Sequence, residues 1–186
     1  MDLKKALSYV AFGYLVILVN INLTISGVTV NISPDCVGWL LFFLAFDWFG
    51  SYAEGKRGMK TGFLLLAILS AALWVYSMAK PELAAEKVLN PMIGLGSVVL
   101  MFLLFGVLER VAHDHAPHRE GKIRLLKYLN LILYLVMNVA AGGFAGIGSG
   151  LLAAVAAAAM FAALIAAIVT AVVLFKLQKD INDAPV

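Results

Sequence analysis

Six apolar stretches, each of a length that can cross a lipid bilayer, constrain this chain more than any other feature. A helix needs about 20 mostly apolar residues to span a hydrocarbon core of about 30 Å. The stretches cover residues 6–25, 36–52, 61–79, 92–108, 123–147 and 151–174. No polar segment between them is long enough to form a separate soluble domain. Residues 1–186 therefore read as a single integral membrane domain. The expected fold is all-α: a polytopic membrane protein with a bundle of about six transmembrane helices.

Composition explains why the stretches must face lipid. Of the residues, 63% are hydrophobic and only 13% are charged. A soluble domain carries about 45–50% apolar and about 25% charged residues. A soluble enzyme, a disordered tail and a nucleic-acid-binding domain are excluded on that ground. The net charge of +3 concerns orientation rather than an acidic partner.

Turn residues mark the borders. Pro34-Asp35 precedes the second stretch, where the Asp can cap free N–H groups and favours the positive end of the helix dipole. Gly55 and Gly58 break the chain before the third stretch. Pro81 and Pro91 bracket Glu82–Asn90, a connection that suits a short interfacial helix with Pro81 at its first position. Pro117 interrupts the polar stretch between the fourth and fifth spans.

Charge orients the bundle. Cytoplasmic loops carry an excess of Lys and Arg. With six spans and the N-terminus inside, twelve of the fourteen basic residues fall inside, and only Lys80 and Lys87 fall outside. Both termini are then cytoplasmic. Trp39, Trp74 and Tyr76 fall near outer ends, and Tyr9, Trp48, Tyr52 and Tyr128 near inner ends, as interfacial aromatics do. The first stretch has a charged start, Lys4-Lys5, but its apolar region exceeds the 7–15 residues of a signal peptide. It is expected to be an uncleaved helix. The single cysteine, Cys36, has no partner for an intramolecular disulfide.

In so apolar a chain, polar residues at membrane depth carry the information. Asp47 lies twelve residues after Asp35, roughly 18 Å along a helix. It reads either as an intramembrane acid, a relay or ligand contact, or as an interfacial residue beside Lys56 and Arg57. Asn20, Asn22, Thr24, Asn31, Asp35 and Asn138 gather at similar depth toward the outer side. Asn20 and Thr24, four apart, would share a helix face. The group reads as a ligand-binding pocket open to the outside, or as interhelical hydrogen bonds. Residues 27–33 alternate apolar and polar, a short-strand pattern suited to a lid.

Small residues recur every four positions at Gly142, Gly146, Gly150, Ala154 and Ala158, and the spacing continues at Ala162 and Ala166. Such faces let helices approach closely. His113, His115 and His118 form the one metal-like cluster, but residues two apart on a helix face apart and Pro117 bends the backbone. No metal site and no cofactor is assigned. No phosphate loop, nucleophile elbow or zinc-protease motif occurs, so the chain is not read as an enzyme.

Two resemblances follow from these residues. Asn20-Ile21-Asn22-Leu23 and Ile32-Ser33-Pro34-Asp35-Cys36-Val37-Gly38-Trp39-Leu40-Leu41 carry a Pro-Asp-x-x-Gly-aromatic pattern. It resembles a family of uncharacterised small multi-pass membrane proteins of Gram-positive bacteria, over roughly residues 10–50. That resemblance implies a bacterial cell-membrane protein and no activity. The span count, size and first outer loop are also similar to the substrate-binding subunits of energy-coupling-factor vitamin transporters. Those proteins carry Ala-x-x-x-Ala on the first helix, whereas Ala6 and Ala11 here are five apart.

The expected function is a small-ligand binding or transport subunit with an outward-facing polar site. The competing expectation is a membrane scaffold, packing through small-residue faces against a membrane partner or a second copy. The lipid bilayer is the expected environment in either case, and nucleic acid is not an expected partner.

Overall fold

Each helix of this chain packs against the next one in sequence, and the last returns to the first. The computed structural model describes residues 3–18, 22–25, 28–31, 35–55, 57–79, 84–141 and 149–183. Side chains are described over 3–17, 35–55, 58–76, 92–136, 157–159 and 161–181. Among these residues the elements are α1 (Leu3–Leu18), β1 (Asn22–Ile25), β2 (Val28–Asn31), α2 (Asp35–Phe46), a 3-10 turn (Gly50–Ala53), α3 (Arg57–Ala79), α4 (Ala84–His115), α5 (Pro117–Ala141) and α6 (Ser149–Asp183). The architecture is a ring of six helices with one antiparallel hairpin, β1–β2, between α1 and α2.

Cross-contacts show that neighbours run antiparallel. Gly13 of α1 meets Gly38 of α2, while Lys5 at the start of α1 lies over Trp48 just past α2. Gly62 of α3 faces Leu100 of α4, and Gly96 of α4 faces Leu66 of α3. Arg119 at the start of α5 binds Asp180 near the end of α6. Gln178 of α6 donates to Ser8 of α1 at 2.8 Å. The start of α1 and the end of α6 thus share one end of the ring with the α4–α5 corner.

That corner is one residue long. Ala116 alone separates α4 from α5. Its N–H still donates to Ala112 at 2.8 Å, and its carbonyl accepts from Arg119 at 2.8 Å. Pro117 therefore takes the first helical position of α5, where its missing N–H costs nothing. At the foot of α2, Gly55 adopts φ +75°, a left-handed conformation that only glycine reaches without strain. It turns the chain toward α3.

Several boundaries differ from the sequence reading. The first apolar stretch does not stay helical to residue 25. The helix ends at Leu18, and Asn22–Ile25 form a strand paired with Val28–Asn31. Thr24 is therefore not on a helix face with Asn20. The second stretch is helical only to Phe46. The expected interfacial helix over Glu82–Asn90 is not separate, because α4 runs unbroken from Ala84 through Pro91. Neighbouring segments and local adjustments make such a proline tolerable in a membrane helix.

Among the described residues, three helical segments are long and apolar enough to cross a membrane: Gly58–Tyr76, Met92–His115 and Ala157–Ile181. The other three helices fall short for identifiable reasons. α1 has 16 residues and α2 has 12. α5 carries Arg119, Glu120, Lys122, Arg124 and Lys127 in its first half. Large apolar side chains face outward on α3 (Leu65, Ile68) and α6 (Phe161, Ile165, Ile168). A soluble monomer rarely exposes apolar surface so continuously, and the pattern fits a membrane location.

The interior is not uniform along the ring axis. Leu7, Val10, Leu104, Leu108, Ile123, Leu174 and Leu177 fill the half nearer the α4–α5 corner. Trp39, Phe42, Phe46, Phe49 and Phe63 form an aromatic cluster between α2 and α3, with centroids 5.5–6.4 Å apart.

Candidate functional site

α2 opens on Asp35, the first residue of the helix. The position suits a carboxylate, because a helix N-terminus carries partial positive charge worth about 0.3–1 kcal/mol to an anion. The expected cap is not made by Oδ1. That atom is buried without a hydrogen-bond partner. One turn further, Trp39 is only 4% exposed, and its Nε1–H is also buried without an acceptor. Residues four apart share a helix face, with Cβ atoms about 5–6 Å apart. One face of α2 thus presents an unused acceptor and an unused donor.

Such atoms are costly. An unsatisfied buried polar group costs about 1–3 kcal/mol, and more when charged. Desolvating an isolated carboxylate costs several kcal/mol, more than the helix dipole returns. Burial accordingly pushes the Asp35 carboxyl up to about 6, with no cationic neighbour to oppose it among the described residues.

A line of polar groups leads inward from this point. Tyr134 of α5 lies within electrostatic reach of Asp35 and shares a hydrogen bond with Tyr14 of α1. The Tyr14 hydroxyl donates to Asn130 Oδ1 at 2.6 Å. Asn130 Nδ2 donates to the Leu126 carbonyl at 2.9 Å and to Thr170 Oγ1 of α6 at 3.3 Å. Thr170 in turn donates to the Ala166 carbonyl at 2.7 Å. Tyr14, Asn130 and Thr170 are each nearly inaccessible. Asn130 lies thirteen residues from the start of α5, roughly 20 Å along the helix. The line therefore reaches about the middle of the ring and stops at the apolar half.

The opposite end is ionic. Glu109 holds Arg124 at 2.5 Å and Lys127 at 3.3 Å, and Arg124 also binds Glu120 at 2.5 Å. Lys127 sits over the Phe102 ring at 4.5 Å. Two open clefts lie here. One, of about 670 Å³, is lined by Tyr52, Glu109, Arg110, His113 and Lys127 among others. The second, of about 740 Å³, contains Asp47 and Lys60. Their charged residues are largely occupied by one another.

The residues singled out by sequence are distributed unevenly between these ends. Asp35 stands at the head of the polar line. Asn22, Thr24 and Asn31 come together on one hairpin, where Asn22 pairs with Asn31 and Thr24 with Thr29. Their side chains lie outside the described residues, as does all of Asn20. Asn138 enters only through the backbone of α5. Asp47 follows the last residue of α2, is 58% exposed and binds Lys60 at 2.5 Å. It thus pairs with a basic residue in the first turn of α3.

The small-residue and histidine candidates are also separated. Gly142 and Gly146 lie outside the described residues, and Gly150 and Ala154 are described by backbone only. Ala158 is exposed, whereas Ala159, Ala166, Ala167 and Ala171 are buried. Of the four-residue repeat, Ala158 is thus exposed and Ala166 buried. His113 binds Glu120 at 2.9 Å, His115 meets the Tyr52 hydroxyl at 3.1 Å, and His118 meets Asp180 at 3.1 Å. Three separate partners disperse the cluster, and among the described residues no group of three ligands could hold a metal.

Tyr14, Asn130, Tyr134 and Thr170 were not singled out by sequence. The available signal was an Asn, a Thr and two Tyr inside apolar helices, away from either interface. No family model, curated protein or solved structure matches this chain.

Proposed function

We propose that the chain is a six-span bacterial membrane protein that binds or transports a small ligand through a polar site open to the outside, with both termini cytoplasmic. The observation that carries the reading is the pair of buried, unused hydrogen-bonding atoms on one face of α2, Asp35 Oδ1 and Trp39 Nε1. A folded protein keeps such atoms at a cost unless something occupies them. Two further features support the direction. The polar line behind Asp35 ends at a packed apolar half. The basic residues Lys5, Lys60, Arg119, Arg124 and Lys127 collect at the far end, as the positive-inside rule requires of a cytoplasmic face.

Asn20, Asn22, Thr24, Asn31 and Asn138 complete the site in this reading, since the chain order brings them to the Asp35 end. In this reading α1, α2 and α5 also cross the bilayer; Lys4 and Lys5 of α1 and the basic residues in the first half of α5 can extend from these helices to the interface.

Thermal unfolding in detergent tests the reading. A panel of small neutral, cationic and anionic solutes is screened for compounds that raise the Tm of the wild type. Site binding requires that the gain shrink in both Asp35→Asn and Trp39→Phe. If every stabilising compound acts equally on the variants, the site is not at α2.

A further inference from the structure

We infer that the Asp35–Trp39 site takes a small protonated amine that also carries a hydrogen-bond acceptor, and that the amine displaces a proton from Asp35 as it enters. The inference rests on the ligand-site reading above and names the chemistry of its ligand.

The two unused atoms define complementary halves. Asp35 Oδ1 can only accept when ionised, so it needs an N–H or O–H donor. Trp39 Nε1–H can only donate, so it needs an acceptor. One helical turn separates their side chains, about 5–6 Å between Cβ atoms. A small ligand that carries a donor and an acceptor on one short scaffold can serve both residues. Charge chooses the donor. A buried carboxylate without a cation is destabilised and either pairs or neutralises. Among the described residues Asp35 has no cationic partner. The missing positive charge therefore comes from the ligand or from a proton, and the two compete for one oxygen pair.

A bare metal ion fits poorly. Ca²⁺ or Mg²⁺ needs several oxygen ligands, and the indole N–H repels a cation. The same N–H is satisfied by a hydroxyl or carbonyl on an amine, and the Trp39 ring, stacked on Phe63 with centroids 6.4 Å apart, offers an aromatic surface to an ammonium group. Bookkeeping of charge is simple: the amine arrives carrying one positive charge, and Asp35 loses one proton to solvent. No bond other than O–H breaks.

The groups around Asp35 keep this exchange isolated. Cys36 on its own helix and Tyr134 from α5 lie within electrostatic reach, and Tyr14 of α1 stands behind Tyr134. Thiols and phenols ordinarily titrate near 8.5 and 10. Between pH 5 and 7, Asp35 is the group in this set that changes charge.

Ethanolamine is the probe, with ethylamine lacking the acceptor and ethylene glycol lacking the charge. Binding to the purified full chain in detergent is followed by calorimetry from pH 5 to pH 8. Competition by a proton on a carboxyl titrating at about 6 weakens apparent ethanolamine affinity about tenfold at pH 5 relative to pH 8. About one proton is released per amine bound at pH 5, and almost none at pH 8. Asp35→Asn abolishes amine binding, while Trp39→Phe removes the preference for ethanolamine over ethylamine. Absence of ethanolamine binding, or binding that neither changes with pH nor releases protons, overturns the inference. Ethylene glycol binding that is lost in Trp39→Phe but kept in Asp35→Asn would do the same while leaving a polar ligand site in place. If no probe's binding responds to either substitution, the inference and the site reading fall together.

Discussion

Asp35 is where sequence and environment conflict most sharply. A carboxylate at a helix start is ordinary, but one with a buried, unused oxygen is not. The sign of its effect on stability follows from its shift. The folded value, about 6, lies above the ordinary value of 3.8, so folding takes up a proton between these limits. The neutral form is tolerated below about pH 4, and the penalty grows as pH rises to about 6 and then levels. At about 1.36 kcal/mol per unit, the full penalty is at most about 3 kcal/mol. Asp35→Asn is therefore expected to stabilise the ligand-free protein at pH 7.5 and to match the wild type at pH 4. Thermal unfolding across this range measures the difference between the two proteins, and a constant difference would contradict it.

Asn130 makes the opposite prediction. It accepts from Tyr14 and donates to Thr170, so Asn130→Leu removes the link between three helices. The expected loss is about 1–2 kcal/mol, measured as a lower Tm. An unchanged Tm would mean that the network is not a structural tie. Sequence flagged Asn138 and missed Asn130 because depth can be counted along a helix, whereas facing cannot. Which side of α5 turns inward depends on α1 and α6, which arrive from distant parts of the chain.

Among the elements, α1 and α2 form the tightest crossing. A Cβ at Gly13 would meet the Gly38 carbonyl oxygen at 2.9 Å, and a Cβ at Gly38 would meet that of Gly13 at 2.7 Å. Backbone cannot retreat as a flexible side chain can. Gly38→Ala is expected to cost about 1–3 kcal/mol through overpacking. Gly58→Ala, with nothing within 4 Å, is the control and should be neutral or slightly stabilising. Comparable effects at both positions would contradict the crossing.

The same pair shows what a helix pattern reveals. The four-residue repeat from Gly142 to Ala158 drew attention to α6, where composition alone produces many such repeats. The close contact at Gly13–Gly38 lies between two helices with one glycine each at the crossing, and no periodicity marks it. The hairpin illustrates a related limit. The alternation over 27–33 identified β2 as a strand. β1 looks like the end of a helix in the sequence, because Leu23 and Ile25 extend an apolar run and a strand is completed only by pairing across a turn.

For the whole molecule, the apolar stretches located the six helices of the described residues. The ring closure, α6 against α1, was not legible, since nothing local in either segment names its partner. Contacts such as Gln178 to Ser8 supply it. The resulting molecule has one ionic end, one apolar half and one half threaded by polar groups. Each follows from where the few polar residues lie relative to helix ends.

Sidedness is the claim on which the outward-facing site depends, and the single cysteine allows it to be measured. Cys36 adjoins Asp35, and Ser51, exposed in the 3-10 turn, marks the opposite end. A membrane-impermeant maleimide is applied to intact cells carrying the wild type, or Ser51→Cys in a Cys36→Ser background. Labelling of Cys36 is expected in intact cells, and labelling of the substituted position 51 only after permeabilisation. The reverse pattern would place Asp35 and its unused oxygen on the cytoplasmic side and contradict the outward-facing site.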